Sequence, residues 1–474
     1  MSKKRPSIKR NALPRQWAAS LAGLRAGSVL AVDNAWQKIR SRSADNQSGD
    51  TIPNSEFARR EARRFVTELG QLKGTYVKIG QMMALLGEHV LPPVLTEALH
   101  DLGHSTEPLD WEDVEPLFRQ SLGRHFHELD IEHVAVAAAS LAQVHRATVR
   151  ESGEQICLKL QYPGLADVID SDFNAVIRML VVARWLKTGR DLDDWLSSMR
   201  EHLHHEIDYI REARLHQHMY QLVRDTTVTD ITMHVPRLLP RYCSDQVLAM
   251  EFIQGCTVTA PDITSLSLKR RNALAKAMLE LFFLELYEWG VLQTDPNFGN
   301  YLIRLHPGRG PNKANDELVL LDFGSILECE DNFLRHLRAA IAYGLQGKKA
   351  EVGDALVGLG CLPADSGVEA REHFAGFCLQ LLEPLQHPSE LPAAYLNKKG
   401  EYCWAQSHLL KRAGKQAVAS LARSDFTTPS RDFALIARKL TGVFTFISVL
   451  EAEFNAHEIV DNHIQRWLEE TENG

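Results

Sequence analysis

The chain has 474 residues, 45% of them hydrophobic and 24% charged, and its 53 Lys and Arg against 61 Asp and Glu give a net charge of −8. That composition excludes wholesale disorder, and the acidic balance argues against a dedicated nucleic-acid binder. At roughly 100–200 residues per module, the length suggests two to four modules. Seven cysteines (Cys157, Cys243, Cys256, Cys329, Cys361, Cys378 and Cys403) form no CxxC pair. Neither a disulfide framework nor a zinc ribbon is expected, and a reducing compartment fits. No apolar run reaches the roughly 18 residues of a membrane span, so no transmembrane helix is expected.

Charge is uneven along the chain. Residues 1–42 hold ten Lys or Arg and one acid, Asp33, which makes this head +9 and the remainder −17 (−8 less 9). Residues 1–16 read as a basic tail. Residues 17–40 could form a helix with Trp17, Leu21 and Leu24 on one face, and 41–54 read as a polar linker. The expectation is peripheral attachment to an anionic membrane surface or lipid, helped by Trp36, with a solvated basic tail or a mitochondrial transit peptide as the alternatives.

From Ser55 to about Leu102 the pattern is helical, with a turn at Pro92-Pro93. Val134–Leu160 reads as a β-hairpin with strands Val144–Val149 and Ile156–Leu160 around the turn Glu151-Ser152-Gly153-Glu154. Residues 165–225 return to helix. Val247–Ile253 is a short strand, and Leu266–Trp289 is a long helix stopped by Gly290. Strands Tyr301–Leu305 and Leu318–Leu321 flank a turn-rich insert, and everything from Asn332 onward reads as helical.

Two segments carry chemistry. In Thr294-Asp295-Pro296-Asn297-Phe298-Gly299-Asn300 an Asp precedes an Asn by five residues, and Asp322-Phe323-Gly324 follows on a strand end. Phosphoryl transfer from ATP needs this inventory: one carboxylate to orient the acceptor, and an amide oxygen plus a second carboxylate to hold Mg²⁺. A lone DFG is common; the ordered pair is far more specific.

Upstream, Lys159 sits on the second hairpin strand, either as a point charge that meets phosphates or as an edge-strand Lys facing solvent. A Gly-rich phosphate loop is absent, and Ala137-Ala138-Ala139-Ser140-Leu141 stands in its place, with φ more restricted than glycine would allow. Asp208 and Glu212 share a helix face at i,i+4, either as partners for Lys159 or as solvated acids. The strand through Glu251 and Ile253 would lead to a hinge whose backbone reads adenine. Lys78 and Gln81 flank a mid-helix Gly80, which fits either a functional insertion or close helix packing. His202, His204, His205, His216 and His218 read as a solvated helix face, since no HExxH is present.

KxGQ, the Ala-rich loop, LKLQYPG, EIDYIREA, MEFIQG, TDPNFGN and LLDFG occur in an order that resembles the UbiB/AarF atypical protein-kinase-like family, over roughly residues 55–330. QTDPNFGN departs from the HxDPHPGN of many bacterial members, with Gln293 for His and Asn297-Phe298 for His-Pro. It looks closer to the mitochondrial coenzyme-Q-associated branch.

The resemblance implies an α+β, two-lobed protein-kinase-like fold. A helical N-terminal extension (55–130) would follow a tail and linker (1–54), before an N-lobe with inserted helices (131–255) and a helical C-lobe (256–474). It implies that Lys159 binds the α/β-phosphates and pairs with Glu212, that Asp295 is the catalytic base, and that Asn300 and Asp322 hold Mg²⁺. Ala137, Ala138, Ala139 and Ser140 would tune use of ATP or ADP. Lys78 and Gln81 would cover the site near Glu206 and Asp208, obstructing protein substrates. The implied role is an atypical kinase or ATPase in ubiquinone biosynthesis or related lipid metabolism, with quinone-biosynthesis proteins as partners. The implied location is cytoplasmic and peripherally membrane-bound, or the mitochondrial matrix in a eukaryote. The alternative is a nucleotide-binding scaffold without required turnover.

Overall fold

The computed structural model describes residues 56–71, 74–91, 93–100, 108–182, 192–226, 231–306, 316–414 and 430–473. The stretch expected to form a basic tail, an amphipathic helix and a linker (1–54) lies outside the described residues, as does most of the insert before Asp316. The chain divides into two compact units. One contains residues up to Ala213 together with Leu238–Phe252; the other contains Arg214–Arg237 and Ile253 to the C-terminus.

The first unit has a helical layer and a sheet, each with its own core. Helices α1 (Glu56–Gln71), α2 (Thr75–Val90) and α3 (Pro93–His100) bury Phe65, Tyr76, Ile79, Met83 and Leu95. Against them pack Phe173 and Val176 of α5 (Leu165–Val182) and Leu203 of α6 (Leu192–Glu206); α4 is Trp111–Leu122. Deep in this layer the Thr75 hydroxyl donates to the buried Asp172 carboxylate.

The sheet is antiparallel in the order β1 (Leu129–Ile131), β3 (Ala142–Val149), β4 (Gln155–Gln161), β6 (Val247–Glu251), with the two-residue β2 (Ala137–Ala138) also on β3. Gly153 closes the β3–β4 turn at φ +73°, a conformation that favours glycine. Along β4, Ile156, Leu158 and Leu160 alternate inward onto Val114 and Phe118 of α4. The sequence boundary at 130/131 therefore moves: α4 and β1 belong with the sheet because their apolar faces complete its core. The inserted helices α5 and α6 instead join the N-terminal helical layer.

The second unit is mostly helical. Its core helix α8 (Leu268–Phe283) continues as a π-helical segment, Leu284–Trp289, that ends at Gly290 with φ +66°. The single long helix expected over Leu266–Trp289 thus widens in its last turns. Strand β7 (Val291–Gln293) pairs with β10 (Ile326–Glu328). A second small sheet joins β8 (Tyr301–Arg304), β9 (Glu317–Leu320) and the parallel β5 (Thr232–His234). Helices α9 (Asp331–Leu345), α10 (Lys349–Gly358), α11 (Val368–Leu381), α12 (Arg431–Val449) and α13 (His457–Asn473) complete it.

Helix α7 (Tyr209–Asp225) begins in the first unit, but Leu215, Met219 and Val223 are in the core of the second. The second unit therefore takes in residues 214–237 and starts again at Ile253 rather than at 256. The region after Asn332 is not wholly helical, since bridges Leu396↔Tyr402 and Cys403↔Glu453 interrupt it.

Candidate active site

In the first unit Lys159 lies mid-strand on β4, opposite Val144 of β3 and Leu248 of β6. Its neighbours Leu158 and Leu160 face the core, so the two-residue period turns Lys159 to the other face. There its Nζ lies 2.6 Å from Glu212 Oε1, with the carboxylate only 2% exposed, and 5.3 Å from the Tyr209 ring. Asp208 has a different task. Its Oδ1 accepts from the backbone N–H of Arg211 at 2.9 Å, which caps the start of α7 one turn before Glu212. The expected shared face of Asp208 and Glu212 gives way to a capping residue and a buried ion-pair partner.

Lys78 of α2 pairs with Glu206 at the end of α6 at 2.6 Å, and His202 Nε2 lies 3.7 Å from the same carboxylate. Gln81, one turn on from Lys78, is half-buried. The Ala-rich loop is a tight hairpin. Ala137 and Ala138 pair with Val144 and Gln143, and the Ala139 N–H donates to Ala142 O at 2.8 Å. Ala139 is exposed and Ser140 half-buried, while Leu141 is buried with Tyr162 and Leu165 and so anchors the loop. Glu251 ends β6 opposite Ile156, and Ile253 is buried just past the division between the units.

The second unit holds the other group. The β8–β9 ladder runs from Tyr301↔Leu320, and one step beyond it Leu321 N–H donates to Asn300 O at 3.0 Å. Asn300 and Asp322 therefore emerge at the same end of one hairpin. Asp322 Oδ1 accepts from Gly324 N–H at 3.0 Å, which fixes the DFG turn. Asn300 Nδ2 donates to Asp295 through both its carbonyl (3.2 Å) and Oδ2 (3.3 Å), while Arg438 of α12 donates to Asp295 Oδ1 at 3.0 Å. The Asn297 side chain accepts from Gly299 N–H and starts the short helical turn that returns the chain to Asn300.

Below these residues runs a buried polar relay with one direction of donation. Lys439 Nζ donates to Tyr301 OH at 3.0 Å, Tyr301 OH to Gln293 Oε1 at 3.0 Å, and Gln293 Nε2 to the Asp322 carbonyl at 3.4 Å. Lys439, fully buried, also lies 3.1 Å from Glu285 in the π-helical segment. Burial opposes its charge, but the Glu285 carboxylate and the Tyr301 hydroxyl outweigh it and hold the ammonium above its ordinary pKa. Lys439, Tyr301, Gln293, Glu285 and the Asp322 carbonyl thus form one connected buried network, in which losing a partner would be costly. Phe323 is buried and edge-on to His216 at 5.0 Å, and His216 Nε2 lies 2.6 Å from Pro236 O. His216 is thus a core residue and not part of a solvated face.

A carboxylate and an amide oxygen at one hairpin end are hard donors, too few for an all-protein cage and suited to Mg²⁺ that keeps water and phosphate ligands. No group of three or more His, Cys, Asp or Glu able to hold a metal occurs among the described residues.

Lys159, Glu212, Asp295, Asn300 and Asp322 stand in motifs, whereas Arg438 beside Asp295 and the buried Lys439, Glu285 and Tyr301 stand in none. The one signal was Arg438-Lys439 inside the apolar stretch of α12.

The ABC1 atypical kinase-like domain matches residues 101–355, more than half of the chain. The chain belongs to that family. Among curated relatives of this ABC1 chain, the probable serine/threonine-protein kinase abkA of Dictyostelium discoideum is 25% identical over 90% of this chain and 74% of its own length. The atypical kinase COQ8, mitochondrial, of Saccharomyces cerevisiae is 28% identical over 68% of this chain and 62% of its own. The atypical kinase coq-8, mitochondrial, of Caenorhabditis elegans is 26% identical over 87% and 53%. The chain thus spans about half to three quarters of these relatives. A Mycobacterium tuberculosis protein solved as the Rv3197–erythromycin complex superposes with TM-score 0.57 at 20% identity, over 86% of this chain and 97% of that one. That likeness bears on the fold, which is α+β and kinase-like. No helix among the described residues is long and apolar enough to cross a membrane.

Proposed function

We propose that this ABC1-family chain binds Mg-ATP and turns it over as an atypical kinase or ATPase in ubiquinone biosynthesis or a related lipid pathway. The observation that carries the reading is the placement of Asn300 and Asp322 at one hairpin end, with Asp295 held beside Asn300. Bound Mg²⁺ would neutralise charge on the phosphates and polarise the transferred group. Asn300 and Asp322 would hold it, Lys159 would meet the α/β-phosphates, and Asp295 would orient the attacking hydroxyl or water. The Ala-rich hairpin (Ala137, Ala138, Ala139, Ser140) would line the phosphates, and the backbone at Glu251 and Ile253 would read the base. Lys78, Gln81 and Glu206 would form the cover that excludes protein substrates. The names of the yeast and worm relatives, atypical kinases of the mitochondrion, support both the activity class and a mitochondrial-type setting.

A second reading, a nucleotide-binding scaffold without required turnover, draws on one feature: both Asp295 carboxylate oxygens are already bonded, to Arg438 and Asn300. One experiment separates the two. ATP hydrolysis is measured with and without anionic liposomes, beside a generic protein-substrate assay, for wild type, Asp322→Asn and a chain starting at Thr51. The enzyme reading expects lipid-stimulated hydrolysis that Asp322→Asn abolishes, and reduced stimulation without the +9 head. Saturable nucleotide binding with hydrolysis equal in wild type and Asp322→Asn would leave the scaffold.

A further inference from the structure

We propose that Arg438, on the C-terminal helix α12, is a positioning residue of this site: it fixes Asp295 and, through it, orients the carbonyl oxygen of Asn300 toward the metal. The proposal rests on the Mg-nucleotide reading above.

An ionised Asp side chain only accepts, so the Asn300 group facing Asp295 must be its amide nitrogen. That commits Nδ2 and leaves Oδ1, the atom a hard cation requires, on the opposite side of the amide plane. The terminal torsion of Asn is broad and roughly two-fold, so the amide holds this orientation only while its acceptor holds still. Asp295 is held from the other side by Arg438 Nη2 on Oδ1 at 3.0 Å. The order of restraint is Arg438, then Asp295, then Asn300.

A half-exposed Arg–Asp pair contributes little when both side chains are free to move. Here the helix that carries Arg438 is seated on the loop along its whole contact. A Cβ added at Gly442 would collide with Pro296 Cβ, so the α12 backbone packs directly on the residue after Asp295. One turn further, Phe446 meets Phe298 and Tyr301 edge-on at 6.0 and 6.2 Å. Lys439, beside Arg438, is locked to Tyr301 and Glu285. Residues 438, 439, 442 and 446 thus form one helical face against 295–301. Arg438 reaches Asp295 from a rigid base, and it lies well beyond the matched domain's last residue, 355.

The test uses the full-length chain and Mn²⁺ as the metal probe. Mn²⁺ affinity in the presence of ADP is read by electron paramagnetic resonance, and turnover of Mg-ATP is read in parallel. Arg438→Gln should weaken Mn²⁺ binding about tenfold and lower kcat by a similar factor, with KM for nucleotide within about twofold. Arg438→Lys should recover most of both. Where Arg438→Gln does not fold, Arg438→Met keeps the aliphatic stem and carries the same expectation. A merely structural role would lower Tm while leaving Mn²⁺ affinity within twofold of wild type, and that result overturns the proposal. Asp322→Asn is the control for the underlying reading. If it loses Mn²⁺ and Arg438→Gln does not, only the role of Arg438 falls. If Asp322→Asn binds Mn-ADP like wild type, the Mg-nucleotide reading fails and takes this proposal with it.

Discussion

Lys159 and Glu212, 53 residues apart, form a 2.6 Å ion pair in which the carboxylate is almost wholly buried. The strand positions the cation by its two-residue period, and the Asp208 cap fixes where the helix bearing the anion begins. Removing one partner of such a pair leaves a buried charge and costs about 3–5 kcal/mol. Glu212→Gln and Lys159→Met should each lower stability in denaturant titrations. The double variant should recover much of that loss while remaining inactive. A double variant with normal turnover would show that the pair serves the fold alone.

Asp322→Asn should abolish Mg-nucleotide turnover with little change in Tm. The substitution keeps the shape and an oxygen able to accept from Gly324 N–H but removes the charge that, on the proposed reading, would hold Mg²⁺. The loss should be about 10²-fold or more, the scale for removing one preorganised electrostatic group. The check is steady-state ATPase on protein freed of contaminating hydrolases. Wild-type rates would refute the assignment.

Ala139→Gly should raise affinity for one or both adenine nucleotides. Ala139 N–H is committed to Ala142 O, and the Leu141 anchor holds the turn. Glycine widens the accessible φ, which lets the turn open and present its amides to phosphate. A small loss of stability, about 0.5–1 kcal/mol, should accompany it. Titration with ATP and with ADP is the measurement, and unchanged binding of both would remove the loop from the phosphate site.

His145 should give the first unit an acid-sensitive stability. Gln143 Oε1 accepts from Leu109 N–H, so Gln143 Nε2 must donate to His145 Nε2, and His145 Nδ1–H donates to Glu132 O. A second ring proton would face an N–H donor. Burial lowers the His145 pKa below its ordinary value. With the folded pKa depressed, the unfolded chain binds the proton first, so stability falls as pH drops through about 6.5 and below. His145→Gln should flatten that part of the curve of Tm against pH between about 7 and 5. An unchanged slope would mean that another group sets it.

The sequence by itself determined the residue inventory and its order: the hairpin with Lys159, the TDPNFGN and LLDFG segments, the KxGQ helix, and through them the kinase-like fold. These were legible because each motif is local, and strand period, turn chemistry and spacing act over a few residues. Partnership across long separations was decided by tertiary packing. Asp208 and Glu212 look equivalent at i,i+4 until the chain shows one capping the helix and the other burying a charge. His216 reads as one of a polar cluster until Phe323 and Pro236 close over it. Arg438 and Lys439 carry no motif. They matter because Gly442 lets α12 touch Pro296, bringing a cation 143 positions along the chain onto Asp295 and a buried ammonium under the strand that carries Gln293. Close approach of two backbones depends on side-chain volume on both surfaces at once, and a linear pattern records only one surface at a time.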